Sequence, residues 1–306
     1  MTTLEDRFRG LMVGTAVGDC LGRPVEGHRS VGEAYLTEVV TNPPSLIYTD
    51  DTAMTLKLAE SLVESNGFDG SDMAMRFATE FRDDPNRGYG GGVARYFEAV
   101  LSGARWHVAA EAQFDGEGSY GNGGAMRVAP VALWAYSDLD ETARLAGESA
   151  RVTHTHPIGV EGAVVQAVAA HHALNTPDDG EFDVVALLAD LDRLVETDQF
   201  RDKLTTLDRF LEEGDDEKAA LHLGNWVAAD KSVVTALYCF LMAGDFEEAI
   251  LRALRIAGDT DTIGAMTGAL AGARFGLTGI PKPWLGVEGH DRLVELADAL
   301  ASRTGP

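Results

Sequence analysis

Asp245-Phe246-Glu247-Glu248-Ala249-Ile250-Leu251-Arg252-Ala253-Leu254-Arg255-Ile256-Ala257-Gly258-Asp259-Thr260-Asp261-Thr262-Ile263-Gly264-Ala265-Met266-Thr267-Gly268-Ala269-Leu270-Ala271-Gly272-Ala273 reads as helix, stop, acidic turn and second helix. Asp245 with Glu248 three residues later opens a helix by capping. Phe246, Ala249, Ile250, Ala253, Leu254 and Ala257 recur at helical spacing and supply one buried face. Gly258 ends that helix, because glycine is favoured just past a helix C-terminus. The spacing then puts the Asp259 cluster in a tight loop and starts the next helix at about Ile263. Gly264, Gly268 and Gly272 share a face of that second helix, and such small residues let a neighbouring backbone come close.

Working outward, nearly all of the chain is helical in pattern. Thr3, with Asp6 three residues later, caps a first helix carrying Leu4, Phe8, Leu11 and Thr15. Further helices are predicted over 140–152, 159–174, 184–196, 232–243 and 291–302. Alternating strand patterns are scarce, and Tyr35 to Val40 is the best of them, a weak one. Acidic runs at 176–183 and 212–217 read as loops or helix ends, too short to be domain linkers. No repeat of solenoid period occurs. These patterns give an all-α fold, with 1–306 as one compact helical domain.

Composition narrows the function. Net charge is -24, from 49 acidic and 25 basic residues. Only Lys57, Lys203, Lys218, Lys231 and Lys282 are lysines, so no basic stripe exists to track nucleic-acid phosphates. Such self-repulsion is screened when salt shrinks the Debye length to about 3 Å near 1 M, which suggests a high-salt (halophilic) cytoplasm. No apolar run approaches the length of a membrane span, and the N-terminus lacks a signal-peptide pattern. Cys20 and Cys239 stand in no metal or redox spacing and read as buried thiols of a cytoplasmic monomer.

The chemistry concentrates in two clusters of similar composition about two hundred residues apart. Thr49-Asp50-Asp51-Thr52 precedes the helical row Met54, Leu58 and Leu62, and Asp259-Thr260-Asp261-Thr262 precedes the glycine-faced helix. One aspartate suffices to cap a helix; the second adds repulsion unless it binds something. Four carboxylates and four hydroxyls are hard oxygen ligands of the kind Mg²⁺ or Mn²⁺ takes, and convergence of the clusters would demand cations between them. Glu26 follows Gly14 to Val25, which reads as a small-residue turn leaving the first helix. Asp19 within it reads as a helix-end residue.

Two glycine-dense loops lie between the clusters. Arg87-Gly88-Tyr89-Gly90-Gly91-Gly92 leads into a helix carrying Val93, Phe97 and Val100, where exposed amides and the helix dipole suit a phosphate. Phe114 to Arg127, containing Ser119-Tyr120-Gly121-Asn122-Gly123-Gly124, adds hydroxyl and amide donors, and Phe114 and Tyr120 can sandwich a base. Neither a Rossmann nor a P-loop glycine spacing occurs. In Thr153-His154-Thr155-His156-Pro157, His154 suits a phosphate donor and His156 a structural role, while His171 and His172 sit within a helix.

Taken together these motifs resemble the ADP-ribosylglycohydrolase family over roughly Leu4 to Gly276. The resemblance is carried by Gly18-Asp19-x-x-Gly22 with Glu26, Thr49-Asp50-Asp51, Gly121-Asn122-Gly123, Thr153-His154 and Gly258-Asp259-Thr260-Asp261-Thr262. Asp84 to Gly90 and Ser119 to Arg127 look most like the branch that cleaves serine-linked ADP-ribose and poly(ADP-ribose). It implies a compact orthogonal helical bundle with two divalent cations, Mg²⁺ or Mn²⁺, ligated by Thr49, Asp50, Asp51, Asp259, Asp261 and Thr262. It implies that Glu26 and Asp259 are catalytic, with Glu26 moving to admit substrate and helping proton transfer. Gly90, Gly92, Ser119, Gly121, Asn122 and His154 would hold the ADP-ribose, with Phe114 and Tyr120 flanking adenine. ADP-ribosylated proteins or ADP-ribose-type small molecules would be the partners. Ala257 stands where the family commonly has a second glycine, and Thr155-His156-Pro157 is closer to other branches of the family than to the serine-specific one. Other readings are an arginine-linked hydrolase, a non-catalytic ADP-ribose-binding protein and a nucleotide phosphoesterase.

Overall fold

Gly10, Gly14, Gly18 and Gly22 lie against Gly272, Gly268, Gly264 and Thr260 in a computed structural model that describes residues 2–177 and 180–303. The pairing runs antiparallel between the first helix, Leu4–Gly22, and the helix Thr260–Phe275. A Cβ placed on Gly10, Gly14, Gly18 or Gly22 would stand 2.4, 2.3, 1.9 or 2.1 Å from a carbonyl oxygen of the partner helix. Only glycine permits this backbone-to-backbone approach. Both helices are buried almost all round, as expected of central elements.

The glycine face expected at 264, 268 and 272 is therefore present, and its complement lies in a segment that pattern reading assigned to a turn. Gly14 to Gly22 is helical, and the turn is confined to a short 3-10 segment, Arg23–Val25. Around the central pair sit Pro157–Asn175, Ala229–Leu241, Phe246–Ile256 and His290–Ala301, all feeding one continuous hydrophobic core. Sixteen α-helices and no strand occur among the described residues. An isolated antiparallel bridge joins Gly121 to Ala228. None of the described helices is long and apolar enough to cross a membrane.

The expected caps are present: Thr3 accepts from Asp6 N at 3.1 Å and Asp245 from Glu248 N at 2.8 Å. The helices predicted over 140–152, 159–174, 184–196, 232–243 and 291–302 are found within three residues at each end. The acidic run 212–217 spans the end of Asp198–Glu213 and the start of Asp216–Leu223. Of the run 176–183, positions 178–179 lie outside the described residues, while Thr176 and Asp183 cap flanking helices.

Tyr35 to Val40 is not a strand. It lies in the helix Glu33–Thr41, with Leu36 and Val39 buried three residues apart. Its aromatic and β-branched content misleads because tertiary partners override propensity. Tyr35 Oη donates to Leu21 O at 2.8 Å, and Trp284 Nε1 donates to Val39 O at 2.8 Å.

A second correction concerns the acidic turn. The helix before it ends at Ile256, and Ala257 already has φ 64° and ψ −165°, a region essentially reserved for glycine. The next helix starts at Thr260, so Thr260, Asp261 and Thr262 form its first turn rather than a loop. Ala257→Gly is expected to raise stability by about 1 kcal/mol, the relief of strain exceeding glycine's entropic cost. A higher urea midpoint at unchanged m-value checks this, and an unmoved or lowered midpoint counts against strain at Ala257.

Candidate active site

The antiparallel glycine contact brings the two acidic clusters together. Asp19 follows Gly18 on the first helix, is fully buried, and reaches the start of the helix Asp50–Ser65. It accepts from Thr49 N at 3.0 Å, Thr52 N at 3.1 Å and Thr52 Oγ1 at 2.6 Å. Burial raises its carboxyl above the ordinary range, and the Thr52 and Thr49 hydrogen bonds oppose that. With these donors satisfied by Asp19, Asp50 and Asp51 are free for something other than capping. Asp50 is set by its own N–H donating to Arg87 O at 2.8 Å. Arg87 is clamped by Glu288 at 2.6 and 2.9 Å.

From the other side, Thr260 Oγ1 donates to Gly22 O at 2.8 Å, seating its helix on the end of the first. Asp259 does not cap this helix; its Oδ2 accepts from Asn122 Nδ2 at 2.6 Å. Asp261 Oδ1 accepts from Thr262 N at 2.8 Å. Carboxylate oxygens of Glu26, Asp259 and Asp261 lie within 4.8 Å of one another. Asp51 Oδ2 faces Thr49 Oγ1 at 3.0 Å and Thr262 Oγ1 at 3.5 Å, so both clusters meet on one carboxylate. Of the four hydroxyls, Thr49 and Thr262 face the acids, whereas Thr52 and Thr260 are spent on structure.

Among the described residues no lysine or arginine forms an ion pair with Glu26, Asp50, Asp51, Asp259 or Asp261. Burial, then the neighbouring Asp19, lifts the carboxyls of Asp50 and Asp51 above their usual range. Asp261 is lifted by burial, then by Asp259 and Glu26, and Asp259 by burial against the Asn122 hydrogen bond. Asp51 Oδ1 is buried with no hydrogen-bond partner. An orphaned carboxylate oxygen inside a crowd of acids and hydroxyls fits a hard divalent cation and little else.

The acids form one wall of a cavity of about 350 Å³. Glu26, Asp50, Asp51, Asp259, Asp261, Thr262, Gly90, Gly92, Phe114, Ser119, Gly121, Asn122 and His154 all line it. Thr49 lies behind Asp51. Tyr120 does not line the cavity; it is half exposed, with its ring edge-on to His156 at 6.0 Å. Phe114 stands at the rim in a left-handed conformation, φ 52°, against Gly92. Gly90 precedes the first turn of Gly91–Leu101, so that helix presents its N-terminus to the cavity. Asn122 also donates to Ser232 Oγ at 3.0 Å, which makes it the support of Asp259.

Opposite the acids lies a group of residues that pattern reading did not join. Arg127 is fully buried, has no carboxylate partner among the described residues, and lies 4.7 Å above the Phe77 ring. It donates to Gly123 O, to Ser149 O at 3.2 Å and to Thr153 Oγ1 at 2.7 Å. Thr153 Oγ1 is also 2.7 Å from His154 Nδ1. With Arg127 donating to the hydroxyl, Thr153 keeps its own proton for Nδ1, the arrangement that leaves the imidazole proton on Nε2. Nε2 faces Gly121 and Gly123, where a Cβ would be 3.7 and 3.0 Å from it. Burial, then the Arg127 charge, depresses His154 to about 3, so it is a neutral donor. His156 caps its helix by accepting from Ile158 N at 3.2 Å, and His172 pairs with Asp190 at 3.1 Å.

This predicts a signature in acid. Between about pH 6.5 and 3 the unfolded imidazole binds a proton that the folded one refuses. Stability therefore falls as pH falls through that window, by about 1.4 kcal/mol per unit for this group. Urea unfolding at pH 7.5 and 5 is expected to show a smaller acid loss in His154→Asn than in the wild type. Equal losses would rule out the neutral assignment.

Comparison with known proteins agrees with this architecture. A model of the ADP-ribosylglycohydrolase family matches residues 1–306. ADP-ribosylhydrolase ARH3 of Mus musculus is 37% identical over 336 residues, covering 96% of this chain and 90% of that protein. The ADP-ribosyl-[dinitrogen reductase] glycohydrolase of Rhodospirillum rubrum is 28% identical over 295 residues, covering 92% and 90%. A solved structure titled ADP-ribosylglycohydrolase-related protein complex superimposes with a TM-score of 0.78 at 31% identity, covering 99% of each chain. With the family model matched from end to end and the acid-lined cavity in place, this chain belongs to the ADP-ribosylglycohydrolase family, a family of glycosyl hydrolases.

Proposed function

We propose that this chain hydrolyses the O-glycosidic bond between ADP-ribose and a serine side chain, and shortens poly(ADP-ribose), with two Mg²⁺ or Mn²⁺ ions. The observation that carries the proposal is the buried, unpartnered Asp51 Oδ1 where both acidic clusters meet beside a glycine-lined cavity. Higher identity to ADP-ribosylhydrolase ARH3 than to the dinitrogen reductase hydrolase supports the serine and polymer branch.

Thr49, Asp50, Asp51, Asp259, Asp261 and Thr262 are the oxygen donors for the ions. When bound, the ions neutralise these acids and polarise the ribose hydroxyls beside the anomeric carbon. The chain supplies the rest. The helix N-terminus at Gly90 to Gly92, Ser119, Gly121 and the His154 Nε2–H hold the diphosphate, and buried Arg127 adds positive charge beneath them. Phe114 covers the adenine at the rim. As the C1″–O bond breaks, the ribose gains oxocarbenium character facing the carboxylate wall, which favours positive charge. Glu26, exposed at the edge of that wall, takes the proton of the incoming water and passes it to the departing serine oxygen, which leaves as the hydroxyl. Asn122 keeps Asp259 aimed at the reaction centre.

We place the enzyme, as a monomer with one domain over 1–306, in a salty cytoplasm; the free, buried Cys20 and Cys239 and the charge of -24 support that. Incubation with serine-, arginine- and poly-ADP-ribosylated substrates, in dilute and molar KCl, tests the assignment. ADP-ribose is expected from the serine and polymer substrates, with EDTA abolishing release and molar KCl sustaining it. AMP or phosphate as product would reject the reaction, and preferential release from arginine would reject the linkage.

A further inference from the structure

A second cleft of about 880 Å³ is lined by four basic and three acidic residues, a balance unlike that of the rest of the molecule. The chain carries about two acids for each base, yet Arg29, Lys203, Lys231 and Arg255 line this cleft, and they include two of its five lysines. Two of these cations are occupied: Lys203 Nζ donates to the His222 and Leu223 carbonyls at 2.6 and 2.7 Å, and Arg255 pairs with Glu33 at 3.4 Å. Of the three acids that line it, Glu33 is paired with Arg255, Asp216 is taken up by Arg252 and by Tyr238 Oη at 2.8 Å, and Glu217 is the third. Arg29 and Lys231 remain exposed, with no ion pair or side-chain hydrogen bond among the described residues.

Beside them Trp226 leaves half of its surface in solvent on a backbone that is held firmly. Asn225 on one side donates to Ile256 O at 2.9 Å and accepts from Asp259 N at 2.8 Å. Val227 O on the other side accepts from Asn122 N at 2.9 Å. A large aromatic face presented on rigid backbone is a platform.

The cleft and the active cavity share a thin wall. Val227 lines the cavity and Trp226 the cleft; Glu26 lines the cavity and Arg29 the cleft. Between them Gly27 N donates to Gly258 O at 2.7 Å and Gly258 N to His28 O at 2.9 Å. Three residues span at most about 10 Å, so the backbone at Arg29 in the cleft lies within about 10 Å of that at Glu26 in the cavity.

Resting on the reading of the site as a polymer-cutting hydrolase, we propose that this cleft binds the neighbouring ADP-ribose unit of a poly(ADP-ribose) chain. Its adenine stacks on Trp226, and its diphosphate lies between Arg29 and Lys231. An aromatic face beside two free cations is the recognition pattern for a nucleotide strand. An acidic peptide would use the cations and leave the indole uncovered.

The test compares Trp226→Ala and the double variant Arg29→Glu with Lys231→Glu against wild type, with Mg²⁺ present. Loss of one stacking contact or of both cations is expected to lower kcat/KM on an ADP-ribose oligomer about tenfold, chiefly through KM. Turnover of a mono-ADP-ribosylated serine peptide stays within about twofold, because neither variant touches the active cavity. Equal losses on both substrates, or none on the oligomer, overturn the proposal. Binding is read separately by calorimetry in EDTA, where turnover stops. Wild type binds the oligomer about tenfold more tightly than monomeric ADP-ribose, and both variants erase that preference. A polyglutamate peptide that displaces the oligomer from the cleft with comparable affinity also overturns it. If neither substrate is hydrolysed while the binding preference persists, the hydrolase reading fails and the cleft assignment stands.

Discussion

Gly18→Ala is expected to leave little folded protein. The added methyl would lie 1.9 Å from Gly264 O and 2.2 Å from Gly264 C, both backbone atoms that cannot turn aside. Ordinary overpacking costs about 1–3 kcal/mol because side chains shift, and here two buried helices must separate instead. A loss of roughly 4 kcal/mol or more is expected, comparable with the whole stability of many domains. The separation would also pull Asp19 on one helix away from Asp261 on the other. Gly286→Ala, at an exposed site with nothing within 4 Å, is the control and should change little. A Gly18→Ala protein with wild-type urea midpoint would mean that the two helices are not in backbone contact.

Asp261→Asn should separate function from stability with opposite signs. Asparagine keeps an oxygen for the Thr262 N–H but removes one charge from a crowd that includes Asp259 and Glu26. Without divalent ions the variant is therefore expected to unfold at higher urea than the wild type, because burial and repulsion no longer act on an anion there. Its activity should fall about 100-fold or more, and the stabilisation that Mg²⁺ gives the wild type should shrink with it. Wild-type turnover would remove Asp261 from the site. Destabilisation in EDTA together with lost activity would indicate a structural role instead.

The parts of the site that were legible in the sequence are those where local chemistry is excessive for its local duty. Paired aspartates at a helix start are more than a cap needs, so Asp50, Asp51, Asp259 and Asp261 stood out without coordinates. The glycine face at 264, 268 and 272 likewise announced a close neighbour. Its partner stayed hidden because Gly10, Gly14, Gly18 and Gly22, read singly, look like breakers, and only the pairing across the chain turns them into an interface. Asp19 was overlooked because its function is long-range: it serves the N–H groups of a helix thirty residues on. Its signal was a carboxylate within the half of its helix, Gly10 to Gly22, that is otherwise uncharged and mostly small. Arg127 carried a similar signal, a charge inside Ala125-Met126-Arg127-Val128-Ala129, but its partners Thr153 and His154 are set by the fold. The helix at Tyr35 was misread because Leu21 and Trp284, which hold it, lie outside any local window.

The antiparallel contact between the two ends of the chain also governs how the molecule is made. Gly22 and Thr260, joined by a hydrogen bond, are 238 positions apart. At ribosomal speeds of about 5–20 residues per second, the first helix waits roughly 12–50 s before its mate has been synthesised. Throughout that interval the glycine face of the first helix, covered in the finished enzyme, lacks the helix that covers it, and it is a natural client for a holdase chaperone. Translation stalled before Asp259 would thus release a chain that lacks half of its acidic wall, so the catalytic centre is assembled only after Thr262 has been made.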